Sequence, residues 1–250
     1  MKILIFAFFL LCISNQATSH ECLNSSKTIY TLINSHLLPF DHPIKRTLDF
    51  IFSQSRATEN EQSLIDAGFT VLTKGPFSFV IIAKHPLLPH YIFKLYLDSE
   101  TQTKKETPHW KWLLKRCIGA EKIRNLIHKK NIRHFTVPDK WLYLLPSYPF
   151  SKEKKQEPFI LVETDMKLRD AKATKKAWKT YVTRKHLEEL YMILKHGYGS
   201  IHLLTNVPYT NSRQFAFIDT ENIQKHLDLK KVKKHLSEEM QLYWDSLINF

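Results

Sequence analysis

Between residues 69 and 97 three β-rich runs, "FTVLT", "FSFVIIA" and "YIFKLYL", follow one another with only "KGP" and "KHPLLPH" between them. Connectors this short, punctuated by Gly and Pro, suit strands that turn straight back on each other, so three consecutive antiparallel strands are expected. A long helical stretch from Pro108 to Lys130 comes next. Two further strands, "WLYLLP" and "FILVETDM", are then separated by the basic polar loop "SKEKKQE". Helices resume at about 171–196, a loop runs through 197–212, "FAFID" reads as a late strand, and 224–248 reads as a closing amphipathic helix. Upstream, residues 23–38 carry Ile29, Leu32, Ile33 and Leu37 at helical spacing. "DHPIKRTLDFIFSQS" places Pro43 near a first turn and Ile44, Leu48, Ile51 and Phe52 on one face. The expected class is α+β. The expected boundaries are a helical extension over 20–68, a sheet with one long helix over 69–166, and a helical region over 167–250.

The first residues have a different character. Lys2 precedes an apolar run from Ile3 to Ile13, then a polar "SNQ" and Ala17-Thr18-Ser19. This is the three-part layout of a secretory signal peptide, with cleavage expected after Ser19. The run is shorter than the about 20 residues of a membrane-spanning helix, and charges interrupt every later apolar run. The protein is therefore expected to be exported (secreted, periplasmic or luminal) with no transmembrane segment after cleavage. Cys22 and Cys117 remain in the processed chain. In an oxidising compartment they invite a disulfide, and the alternative is one buried and one exposed thiol. The chain is rich in large apolar side chains, which excludes general disorder. Its formal charge of +13 favours anionic partners, whether an acidic protein, a phosphorylated ligand or a membrane surface.

The order of strands and helices resembles the protein kinase superfamily with its aminoglycoside phosphotransferase-like branch, and particular residues carry the likeness. "YIFK" ends in Lys94, which resembles the third-strand lysine that holds nucleotide phosphates. Glu121, in "LLKRCIGAEKIRNLI", resembles the helix acid that pairs with that lysine. "FILVETDM" resembles the strand entering the hinge between lobes. "GYGSIHLLTN" followed by "FAFIDTE" resembles a catalytic loop and the strand leading to a metal-binding acid. The likeness implies a two-lobed kinase-like fold with a reduced helical second lobe and a site for Mg and ATP. In that site Lys94 and Glu121 would serve the nucleotide, Asn206, Asp219 and Glu221 the metal, and His202 the chemistry.

The same stretch departs from that pattern. In the family a catalytic Asp stands five residues before the Asn, and five before Asn206 is Ile201. Aligning Ser200 instead moves the Asn place to Thr205, and a Ser hydroxyl has too little proton affinity to act as the base. The turn "TKGPFS" has one Gly, and Thr220-Glu221 follows Asp219 where the family has Phe-Gly. A degenerate pseudokinase-like binding protein, rather than an enzyme, is the expectation, with an atypical phosphotransferase as the further alternative. Each residue also has a plain reading. Lys94 can end an exposed strand face, Glu121 can be a solvated helix acid, Asn206 can shape the turn before Pro208, Asp219 can cap a helix, and His202 can be a buried, hydrogen-bonded histidine.

A second reading comes from "KLRDAKATKKAWKTYVTRK", 167–185, which holds eight Lys or Arg against Asp170 alone. Lys172, Lys175, Lys176 and Lys179 recur at helical spacing, while Ala171, Thr174, Trp178, Tyr181 and Val182 fall on another face. Such a face suits an anionic membrane or an acidic protein. Nucleic acid is the weaker partner, because no base-reading motif accompanies it. The plain alternative is a surface helix that buries Trp178 and solvates its lysines. The histidines form no tight metal pair and there is no GxSxG elbow, so zinc and hydrolase chemistry have no support. Intact-mass measurement of secreted protein is expected to give a chain that starts at His20; secreted material retaining Met1 would overturn the processing site.

Overall fold

The computed structural model describes residues 28–75, 79–103, 107–153, 155–221 and 226–249. The expected leader and Cys22 lie outside them. The chain divides into two compact units between Ser35 and His36. In the first, residues 28–35 are helical.

The second unit is a mixed α+β body built on an antiparallel five-stranded sheet. Its strands are β1 (Thr70–Lys74), β2 (Ile81–Lys84), β3 (Tyr91–Leu95), β5 (Lys140–Leu144) and β6 (Phe159–Thr164), in the spatial order β1-β2-β3-β6-β5. The three expected consecutive strands pair antiparallel as anticipated, and the two later strands form and join the same sheet. The helix predicted over 23–38 ends sooner, because residues 36–38 turn to pair with the outer edge of β5. Leu38 donates its N–H to the Leu142 carbonyl at 2.8 Å and Leu142 donates back to the His36 carbonyl at 2.8 Å. That edge is thereby covered, which removes a site for unwanted strand addition.

Alternation along the strands gives the sheet two different faces. One buries Ile81, Ala83, Phe93, Leu95, Tyr143, Ile160 and Val162 beneath α1 (Lys45–Gln54) and α2 (Glu61–Asp66). Helix α1 contributes Leu48, Ile51 and Phe52, the stripe read from sequence, and α2 contributes Leu64. These helices, from the stretch expected to be an extension, thus complete the sheet's own core. The other face carries Lys94, Lys140 and Glu163, and receives α3 (His109–Lys130). The two faces are joined at one end by the buried Arg56–Asp98 pair. Arg56 donates to both Asp98 oxygens, at 2.7 and 3.0 Å, and to the Glu157 carbonyl at 2.8 Å.

Helix α3 runs from the sheet into a second apolar cluster. Its later residues Ala120, Ile123 and Leu126 enter a second core with Trp178, Leu187, Leu190, Phe215, Phe217 and Trp244. This core gathers α4 (Ala171–Thr180), α5 (Arg184–Lys195), the short α6 (Leu203–Asn206) and α7 (Glu238–Ile248). It also holds a two-residue parallel pair between β4 (Phe135–Thr136) and β7 (Phe215–Ala216). The helical stretch expected over 171–196 is two helices, divided where Thr183 caps a new start through a reciprocal bond with His186. The closing helix also begins late. A 3-10 segment, Leu229–His235, precedes Ser237, whose hydroxyl accepts the Met240 N–H and starts α7. "FAFID" pairs only at Phe215 and Ala216.

Helix α3 makes a close approach at Gly119. A Cβ there would lie 1.8 Å from the Thr220 carbonyl oxygen, so α3 and the chain at 220 meet with no room for a side chain. The Thr220 hydroxyl donates to the Arg116 carbonyl one turn earlier, at 2.6 Å, and pins this approach. Gly119→Ala, which elsewhere in a helix would be favourable, is expected to lower stability by about 3 kcal/mol through forced displacement. Chemical denaturation of the variant checks this, and a stability equal to wild type would refute the contact.

Candidate functional site

The inward face of the sheet carries three charged residues at positions that the pleat would otherwise fill with apolar ones. Lys140 and Glu163 stand directly opposite each other across β5 and β6, and Lys94 on β3 lies diagonally to Glu163. All three are buried. Glu163 serves both lysines, with Oε1 at 3.0 Å from the Lys94 Nζ and Oε2 at 3.0 Å from the Lys140 Nζ. Both ammoniums also donate to one backbone oxygen, the Ile218 carbonyl, at 2.9 and 2.8 Å. A buried charged cluster needs its charges paired, and the shared carboxylate and carbonyl give each ammonium an anionic and a carbonyl neighbour.

Immediately beyond Ile218 the signs are reversed. Arg116 on α3 points its guanidinium at two acids, with Nε 3.4 Å from Asp219 and a terminal nitrogen 2.7 Å from Glu221. Tyr96, following β3, lies beside the same guanidinium. Its ring stacks on His109, with centroids 4.0 Å apart and planes within 9°. Lys94, Lys140 and Arg116 thus face Glu163, Asp219 and Glu221, three cations against three carboxylates. The charges balance inside the protein.

The ionisation of the group follows from this balance. Burial pushes the Glu163 carboxyl up, but Lys140 and Lys94 outweigh it and hold the group below its usual value. Asp219 is also pushed up by burial and brought down further by Arg116, Lys94 and Lys140. Burial pulls the Lys140 ammonium down to about 8, since its attraction to Glu163 is shared with the neighbouring Lys94 charge. Arg116 loses by burial and gains more from Asp219 and Glu221, so its affinity for its proton rises. Cys117, beside it on α3, is buried, and burial pushes its thiol up to about 12. That thiol is a poor nucleophile. Its suggested disulfide partner, Cys22, lies outside the described residues.

The residues singled out from sequence fall into three groups. Lys94, Asp219 and Glu221 meet in this one network, and Asn206 adjoins it by accepting the Ile218 N–H on its carbonyl at 3.0 Å. The Asn206 side chain donates to the Ser200 hydroxyl at 3.0 Å and so shapes the 200–206 loop. Glu121 stands apart. It is exposed and pairs with His36 at 3.2 Å, while the carboxylate beside Lys94 is Glu163. His202 is exposed rather than buried, with its backbone N–H on the Ser200 hydroxyl at 3.1 Å. On α4, Lys172, Lys175 and Lys176 are exposed, whereas Lys179 donates to the Leu236 carbonyl at 2.6 Å and ties α4 to the 3-10 segment. Trp178 is buried, with its indole N–H on the Val207 carbonyl.

Sequence reasoning missed Glu163, Lys140 and Arg116. The available signal was phase: each is a lone charge at an inward position of an otherwise apolar strand or helix face. Among the described residues no three His, Cys, Asp or Glu side chains are grouped to hold a metal ion, and no helix is long and apolar enough to cross a membrane. In the arrangement present, the cation beside Asp219 and Glu221 is a guanidinium and the anion beside Lys94 is a carboxylate. A comparison with protein-family models and with curated protein sequences finds no match.

Glu163→Gln removes the carboxylate shared by two buried lysines, and a stability loss of about 3–5 kcal/mol is expected at pH 7. The sign with pH is fixed by the lowered carboxyl. Its stabilisation is complete above its unfolded value near 4.3 and is lost as pH falls through the lower folded value. Urea midpoints should therefore drop steeply below about pH 4 in wild type and less steeply in the variant. Parallel profiles would refute the assignment.

Proposed function

We propose that the protein is a pseudokinase-like interaction protein, a kinase-like scaffold whose phosphotransfer centre has become a self-neutralised ion-pair network. Support for the scaffold comes from the sheet order β1-β2-β3-β6-β5, the long helix between the third and fourth strands of that sheet, and a third-strand lysine that reaches the segment before an acid late in the chain. The observation that carries the loss of catalysis is Arg116, which holds Asp219 and Glu221 together from the helix side. A guanidinium there does electrostatically what a divalent cation does in a working phosphotransferase: it neutralises the acids. It offers no open coordination position and no polarised phosphate. Glu163 likewise takes the phosphate's place at Lys94. With no carboxylate base at Ile201 or Ser200 either, the reading assigns the chain to binding rather than turnover. Export to a compartment poor in ATP agrees with a function independent of it.

Thermal unfolding with millimolar Mg-ATP tests this, because a ligand that binds only the folded state raises the melting temperature. Wild type is expected to show neither a shift nor phosphate transfer. Arg116→Ala, which leaves two acids without their cation, should melt lower and recover part of the loss when Mg is added, whereas wild type should not respond. A saturable Mg-ATP shift in wild type that disappears in Asp219→Ala would overturn the proposal and restore a nucleotide site.

A further inference from the structure

One concavity of the second unit lies away from the ion-pair network. It is a groove of about 420 Å³ lined by Arg169, Ala173, Lys176, Tyr181, Tyr209 and Arg213. Its size falls within the roughly 300–1,000 Å³ of small-molecule sites. Among the described residues, none of its three cations has an ion-pair partner. The acid next in sequence, Asp170, is committed to capping α4, where it accepts the Ala173 N–H at 2.7 Å. Tyr181 and Tyr209 stand with ring centroids 5.8 Å apart and planes at 52°, which gives the groove an aromatic wall.

The groove is also rigidly built. The turn that carries Arg213 is closed by the Thr210 hydroxyl, which bonds the Gln214 carbonyl at 2.9 Å and the Gln214 N–H at 3.2 Å. It is clipped to the segment bearing Arg169 by two backbone bonds, Arg169 N–H to the Tyr209 carbonyl at 2.8 Å and Asn211 N–H to the Lys167 carbonyl at 3.0 Å. Arg213 itself sits at φ +62°, a left-handed conformation in which glycine is unstrained and arginine is not. Stability alone favours glycine at that position. An arginine held there against the backbone preference points to a role for its guanidinium.

We propose that this groove is a binding site for a phosphate monoester carried on a ring. Two guanidiniums and an ammonium converge without counter-charge, which matches a dianion better than the single charge of a sulfate ester. Guanidinium forks suit the phosphate oxygens. The tyrosine wall and the volume left beyond a bare anion accommodate a ring. The site goes beyond the proposed loss of catalysis and does not depend on it, since it shares no residue with the Arg116 network.

Calorimetric titration of the full chain with glucose 6-phosphate and with phenyl phosphate is the test, with glucose 6-sulfate, inorganic phosphate and glucose for comparison. One monoester per chain is expected, bound at least about tenfold tighter than the sulfate ester or inorganic phosphate. Arg213→Gly should weaken binding about tenfold or more, as for loss of one charge-assisted contact. Its melting temperature should stay equal or rise, which separates a binding role from a structural one. Lys172→Ala and Lys175→Ala, on the same helix outside the groove, should change affinity by less than about twofold. No binding at millimolar monoester, equal losses in the Lys172 and Lys175 variants, or equal affinity for inorganic phosphate would overturn the site. Vesicles of phosphatidylcholine with and without phosphatidic acid distinguish a lipid headgroup from a soluble ester; binding that requires the phosphatidic acid vesicle would overturn the soluble ligand proposed here.

Discussion

The Glu163 carboxylate, shared between Lys94 and Lys140, is the contact on which the rest of the second unit depends. Three strands meet at it, and the two lysines it neutralises reach out together to one backbone carbonyl, that of Ile218. Without the shared charge, two ammoniums would face each other in a buried layer. With it they form a polar clamp that holds the late segment 217–221 against the sheet. Each carboxylate oxygen stands 3.0 Å from one ammonium, so the clamp selects charge in a way that an apolar contact does not.

Helix α3 completes the same junction from the other side. Gly119 lets it approach the Thr220 backbone, and the Arg116 that precedes it by one turn comes within reach of Asp219 and Glu221. The close approach and the ion pairs are therefore one feature. The absence of a side chain at one position lets the helix come close enough for its guanidinium to reach both acids. A centre balanced internally at three positive and three negative charges has little field left to attract a polyanion. The net positive charge of the chain is expressed elsewhere.

That charge is unevenly used along α4. Lys179 is spent on the Leu236 carbonyl and Trp178 on the core, so this helix is in part the ordinary surface helix that its composition allows. Lys176 instead faces a groove whose other cations come from outside the helix, Arg169 before it and Arg213 in a distant turn. A basic run in sequence thus resolves into lysines with separate duties: packing, solvation and, at one edge, convergence with two arginines.

The sequence by itself determined the five main strands, their antiparallel sense where connectors are short, the long helix and the apolar face of α1, because these follow from alternation, helical spacing and Gly-Pro punctuation within a few residues. It also marked Lys94 and Asp219 as belonging together, through a resemblance of order. Tertiary structure alone decided which charges meet. Glu163 rather than Glu121 faces Lys94, because β6 inserts beside β3 and because Glu121 turns to His36 on the covered edge of β5. Arg116 reaches Asp219 across a separation in sequence of more than a hundred residues. The β4–β7 pair and the Arg213 groove arise in the same way. Local pattern records which face a side chain occupies; only the packing of distant segments determines what stands opposite it.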